Sequence, residues 1–147
     1  IFFYNKISRL NFIKPENIIK DKKMINEKLL DFSIDYIKEI DKKKTPIDKI
    51  NSLGKAIDIL KNSMTFNSGK SDLGLDDTLS FIIYIIIKSK FKNIFTNLNY
   101  CAMYINQELS KQNYGNLLTQ LKMVINIIQN MKYNDLINVT EEQFGKD

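Results

Sequence analysis

Apolar residues recur at intervals of three and four along nearly the whole chain. That spacing returns a side chain to one side of an α-helix, whereas a strand alternates every second residue. A first helix is predicted over Tyr4 to Leu10, stopping before Pro15, and a second over about Asn26 to Ile40, with Leu29, Ser33, Tyr36, Ile37 and Ile40 down one side. Thr45-Pro46 supplies an N-cap hydroxyl followed by proline at the first helical position, where a missing N–H costs nothing. The helix it opens, predicted over 46–62, carries Ile50, Leu53, Ile57 and Leu60 as an inward stripe. Thr65 to Leu75, with Asn67, Ser68, Gly69, Ser71 and Gly74, is predicted as the longest loop. A fourth helix is expected from Asp76 to about Lys90. A fifth, around Thr96 to Ile105, buries Leu98, Cys101, Ala102 and Ile105, and a sixth, over about Asn116 to Lys132, turns Leu118, Leu121, Ile125 and Ile128 inward. Thr140 with Gln143 makes a capping box and Val139 with Phe144 a hydrophobic staple, so a last short helix begins there.

The run Phe81 to Ile87 needs arbitration, because its β-branched residues favour a strand. No second run exists for it to pair with, and a lone strand is not stable. Asp76 and Asp77 just ahead of it suit the positive end of a helix dipole. It is therefore read as a helix that is apolar on all sides, either central to the core or partly exposed for a partner. The expected fold is all-α: a single layered domain of six to seven helices over 1–147.

Two faces point outward. The side of the sixth helix away from its apolar stripe holds Asn116, Thr119, Met123 and Asn126, and Lys122 is the only charge between Asn116 and Met131. Solvent-facing helices normally carry several charges, whereas interface centres are depleted in them. The fourth helix has more apolar surface than one core contact absorbs.

The absences narrow the chemistry. The chain has no His and one cysteine, Cys101, which excludes Ser-His-Asp and Cys-His catalysis and a Cys/His zinc site. No glycine-rich phosphate loop occurs, so neither a cofactor nor covalent catalysis is expected. The net charge of +5 invites a nucleic-acid reading. Yet Arg9 is the only arginine and the lysines alternate with acids, as in Lys38-Glu39, Asp41-Lys42 and Asp48-Lys49. That pattern reads as a solvated surface, with no nucleic acid as partner. A bilayer span needs about 20 apolar residues, far more than Phe81 to Ile87 provides, so no transmembrane segment is expected. A lone cysteine fits a reducing cytosol. The start at Ile1, without Met or a basic leader, reads as a piece of a longer protein.

The stretch Gly74-Leu-Asp-Asp-Thr-Leu-Ser-Phe-Ile-Ile-Tyr-Ile-Ile-Ile-Lys88 resembles the signature of the vacuolar-protein-sorting-nine (VPS-nine) domain: a small residue, a pair starting with Asp, Leu-Pro, then an apolar run with Ile-Tyr ending in Lys. Further blocks follow in register. Phe12-Ile-Lys-Pro-Glu16 is similar to the family's Phe-Ile-x-Pro-Glu-His, and Thr45-Pro-Ile-Asp-Lys-Ile50 to its Pro-Arg-Asp-Lys-Leu helix start. Thr96-Asn-Leu-Asn-Tyr100 resembles its Ser-Asn-Ile-Gln-Tyr. Thr119-Gln-Leu-Lys-Met-Val-Ile-Asn-Ile-Ile128 resembles its Thr-Asn-Leu-x-x-Ala-Val-x-Phe-Ile. Together these cover roughly residues 6 to 144.

The resemblance implies a guanine-nucleotide exchange factor for Rab GTPases of the early-endosomal (Rab-five) group, a regulator rather than an enzyme. It implies that the fourth and sixth helices form the groove for the GTPase switch regions. Asp76 matches the family's acidic finger, while Ser80, Asn116 and Thr119 fall at partner-binding positions. Two of these depart from the family: Ser80 stands where proline is usual, and Asn116 where tyrosine is usual, with Tyr114 two residues out of register. The family's Asn-Pro-Pro after the fourth helix appears as Lys90-Phe91-Lys92. The expected setting is a cytoplasmic monomer, held peripherally on early endosomes through regions outside this chain. A divergent Rab-binding or scaffolding module without exchange activity is the alternative, and an unrelated helical interaction module the third class. Nucleotide release separates them.

Overall fold

The computed structural model describes residues 2–68, 75–108 and 112–145. Among them are helices α1 (Phe2–Arg9), α2 (Glu27–Lys38), α3 (Pro46–Ser68), α4 (Leu75–Ser89), α5 (Ile94–Glu108), α6 (Gln112–Gln129) and α7 (Glu141–Phe144), with short 3-10 turns between them and no strand.

Phe81 to Ile87 is helical and every one of its side chains is buried. The helix carrying it, α4, packs against α1, α2, α3 and α6. Four neighbours enclose Leu79 and Phe81 to Ile87, so among the described side chains the outward apolar signal expected from this helix is not there. The central-core alternative is the observed one. Around it the buried residues from Phe3 to Phe144 form one continuous cluster.

Local chemistry explains the helix ends. Asn26 Oδ1 accepts from Leu29 N at 3.2 Å to start α2, and Thr45 Oγ1 accepts from Asp48 N at 3.2 Å to start α3. At α7 the capping box is complete: Thr140 N donates to Gln143 Oε1 at 3.0 Å, and Gln143 N to Thr140 Oγ1 at 3.2 Å. Phe144 is buried in the core cluster and Val139 packs against that cluster. After α4 the chain turns at Lys90, whose φ of 53° is the left-handed conformation that ends many helices.

Several elements differ from the sequence reading. α3 runs on to Ser68, because Ser63 and Met64 continue its buried stripe past Leu60. The predicted loop therefore loses Thr65 to Ser68, and residues 69–74 lie outside those described. On α2 the inward residues are Leu30, Ser33, Ile34 and Ile37, with Leu29 and Tyr36 only half-buried. Ser33, fully enclosed, donates its hydroxyl to Ala56 O at 2.7 Å and so ties α2 to α3. On α5, Leu98 and Cys101 are buried and Ala102 partly so, while the Ile105 side chain lies outside the described residues.

The lysines are not all solvated. Lys6 and Lys49 are buried, and they donate to Met131 O at 2.8 Å and Ile40 O at 2.9 Å, carbonyls just past α6 and α2. Lys88 donates to Asn11 O, and Asn11 Nδ2 donates back to Ile87 O at 3.0 Å in the last turn of α4. Helix C-termini leave carbonyls without partners and carry partial negative charge, so an ammonium is a favourable cap.

Candidate functional site

α6 divides cleanly into two sides. Leu118, Leu121, Val124, Ile125 and Ile128 are buried. On the other side Asn116, Thr119, Met123, Asn126 and Ile127 are exposed, Met123 by 39% and Ile127 by 36%. Spacings of three and four keep these residues, with Gln120 and Asn130, in one stripe about 120° wide. None of them is charged, and Lys122 lies off to one edge. A stripe this long without a charge, with two exposed apolar side chains in it, has the composition of an interface centre.

α6 packs against α4, and Asp76 lies in the first turn of α4. The Asp76 side chain lies outside the described residues. Ser80 stands one turn further along α4, four residues on and so on the same side, and is half-buried. Asp77 is half-buried too, while the next residue, Thr78, is buried. Asn116 and Thr119 share the exposed stripe of α6. The Tyr114 side chain lies outside the described residues.

One feature of this region has no counterpart in the sequence reading. A cleft of about 560 Å³ separates α6 from the outward side of α3. Asn116 and Gln120 line it from α6, Gly54, Lys55, Asp58 and Lys61 from α3. Residues on the two helices are more than fifty positions apart, so no local pattern announces it.

Among the described residues no three His, Cys, Asp or Glu side chains cluster where a metal ion could be held. Cys101 is enclosed, and burial pushes its thiol up, partly opposed by the Lys49 ammonium, so it lacks the thiolate character of a nucleophile. No helix among the described residues is long and apolar enough to cross a membrane.

The family model described as the vacuolar sorting protein 9 (VPS9) domain matches residues 30–133, most of the chain. The chain belongs to the VPS9 domain family. VPS9 domains are guanine-nucleotide exchange factors for Rab GTPases, regulators that make and break no covalent bond. Comparison with curated proteins found no match. The match runs from within α2 to just past α6, and with it takes in both helices at which the VPS9 resemblance assigns function.

Proposed function

We propose that this VPS9 domain releases GDP from a Rab GTPase of the early-endosomal (Rab-five) group, with Asp76 as the acidic finger and Ser80, Asn116 and Thr119 on the contact surface. The reading is carried by one observation: α6 exposes an uncharged stripe holding Asn116 and Thr119, on a helix packed against the one that Asp76 opens. A GTPase holds GDP through its phosphate loop, that loop's lysine and a Mg²⁺ ion. A carboxylate brought into that site pairs with the lysine and repels the phosphates. At about 4 Å, with an effective dielectric near 20, such a charge is worth about 4 kcal/mol, and ~1.4 kcal/mol is tenfold in affinity. In this reading the protein is cytoplasmic, monomeric and recruited to early endosomes peripherally.

The test is release of a fluorescent GDP analogue from Rab GTPases mixed with the domain. Release accelerated at least 100-fold by the parent, and lost in Asp76→Ala at an unchanged melting temperature, supports the finger. Asp76→Ala exchanging as fast as the parent refutes it. The tyrosine position occupied by Asn116 favours a second reading, a Rab-binding module without exchange. Tight binding to nucleotide-free Rab without accelerated release would establish that one instead.

A further inference from the structure

α5 carries an uncharged face of its own, on a different side of the molecule's chemistry from the stripe of α6. From Ile94 to Gln107 the sequence has no charged residue. Ile94, Asn97, Leu98 and Cys101 turn inward and are buried. Phe95, Thr96, Asn99, Tyr100 and Met103 turn outward within about 140° of the helix circumference. Three of these are large and apolar, with Phe95 exposed by 43%, Tyr100 by 44% and Met103 by 63%. Hydrogen bonds fix what borders them. Asn97 Nδ2 donates to Asp41 Oδ1 at 2.6 Å and the Tyr100 hydroxyl to Lys44 O at 3.4 Å. The exposed run Lys42-Lys43-Lys44 therefore lies along one side of the face. At its other end Lys92 is exposed, and its ammonium stands 6.0 Å from the centre of the Tyr4 ring. Tyr4, Lys92, Phe95 and Thr96 share the lining of a cleft of about 450 Å³. Elsewhere the lysines alternate with acids, but neither Phe2 to Pro15 nor Thr78 to Gln107 contains an Asp or Glu. The acid that does reach the border, Asp41, is engaged by Asn97.

We propose that this face docks on an anionic phospholipid surface, with α5 lying along the plane of the membrane. An apolar helix side rimmed by cations is what such a surface takes: the side chains enter the headgroup boundary and the charges stay at the phosphates. Phe95, Tyr100 and Met103 supply the apolar part, and the ring-plus-hydroxyl of Tyr100 suits the depth at which water and lipid meet. Lys42, Lys43, Lys44 and Lys92 supply the rim, each able to lay its carbon stem on the apolar part while its ammonium reaches a headgroup. Charge complementarity decides the occupant. A second copy of this chain would set one lysine rim against another, and like charges across an interface are unfavourable. Reading bases or a folded phosphate backbone favours the arginine fork, which this face lacks, whereas the diffuse charge of a bilayer needs only point charges. The inference stands apart from the exchange-factor reading, because lipid binding needs no GTPase.

The experiment sediments the whole 147-residue chain with vesicles of phosphatidylcholine alone or mixed with phosphatidylserine, at about 0.1 M salt. The parent is expected to partition at least tenfold more strongly onto the mixed vesicles. Lys43→Glu with Lys92→Glu lowers that partitioning at least tenfold, and Lys43→Arg with Lys92→Arg keeps it within threefold. Lys28→Glu with Lys61→Glu changes the net charge equally at exposed positions beside Asp31 and Asp58, and it too stays within threefold. The chain has no tryptophan, so Met103→Trp reports on the face alone, and its emission should move to shorter wavelength on the mixed vesicles. Should the reversal pair fail to fold, that emission decides alone. A parent that does not prefer the mixed vesicles overturns the inference, as does an unshifted Met103→Trp emission. Equal losses in the two reversal pairs overturn it as well, since net charge would then suffice. Tighter binding to a single-stranded oligonucleotide than to the vesicles, lost in Lys43→Glu with Lys92→Glu, would assign the face to nucleic acid instead.

Discussion

Lys49 is 8% exposed and gives its ammonium to Ile40 O, whereas by composition it is one more lysine beside an aspartate on a basic chain. Replacing it with Met keeps the volume and removes the charged donor, so that Ile40 O keeps only the Lys43 N–H at 3.2 Å. We expect Lys49→Met to cost about 1–3 kcal/mol, read as a lower urea midpoint with an unchanged slope. Tyr84 makes a different prediction. Burial first, and then the charges of Asp31, Glu27 and Glu16, push its phenol up to about 12. An acid whose pKa is higher folded than unfolded contributes stability that is complete below about pH 10, the unfolded value, and lost as pH rises through the folded one. In an ultraviolet titration of phenolate, Tyr84 should therefore ionise last, between about pH 10 and about 12, together with loss of helical circular dichroism. Tyr84→Phe should remove that last step and shift alkaline unfolding to higher pH. A last step that persists in Tyr84→Phe would refute the assignment.

At the level of elements, most of what the sequence conveyed was local. Thr45-Pro46, Asn26 and the Thr140–Gln143 box act within one turn of themselves, and each forms the cap its residue types imply. Three of the blocks that resemble the family turn out to be architectural. Ile13 and Pro15 are buried in the turn after α1. Thr45 caps α3. Asn97 donates to Asp41 Oδ1 at 2.6 Å and Tyr100 to Lys44 O at 3.4 Å, so the Thr96-to-Tyr100 block pins α5 to the α2–α3 connection. What stayed illegible was long-range. The four-sided enclosure of α4 and the α3–α6 cleft depend on which helices meet, which a periodicity does not state. The α6 stripe was legible through its missing charges, although Ile127 and Gln120 were not singled out. Thr119→Lys with Met123→Lys tests the stripe. Both positions are exposed, so the double variant should still fold and melt cooperatively. Affinity for nucleotide-free Rab should fall at least tenfold, as charge placed at an interface centre is left without a partner. Asn116→Tyr, which restores the ring usual in the family, should raise the exchange rate. An unchanged affinity in the double lysine variant would remove the stripe from the contact surface.

For the molecule as a whole, the family match and the core have different limits. The match begins at Leu30 and ends at Tyr133. Phe3, Ile7, Leu10, Ile13, Ile19 and Met24 precede it, all 3% exposed or less, and Leu136 and Phe144 follow it, both buried in the same cluster. The two flanks also hold each other: Ile137 N donates to Asn17 O at 2.7 Å and Asn17 Nδ2 to Ile137 O at 2.8 Å. Lys6, beneath the Phe144 ring at 5.0 Å, caps the chain leaving α6. Burying one large apolar side chain is worth about 1.5–3 kcal/mol, so the six upstream residues alone contribute on the order of 10 kcal/mol before chain entropy is counted. Domains of this size are stable by about 5–15 kcal/mol in total. A chain cut to residues 30–133 should therefore lack a cooperative melting transition, and it should expose the faces of α4 and α6 that α1 covers. The expected signs are binding of an apolar dye at room temperature and loss of exchange activity without any change at Asp76, Asn116 or Thr119. Adding back residues 1–29 as a separate peptide should restore part of the helical signal, because the missing contacts are burial rather than covalent constraint. A 30–133 chain that melts cooperatively within about 5 °C of the parent would show that the flanks decorate the core and do not complete it.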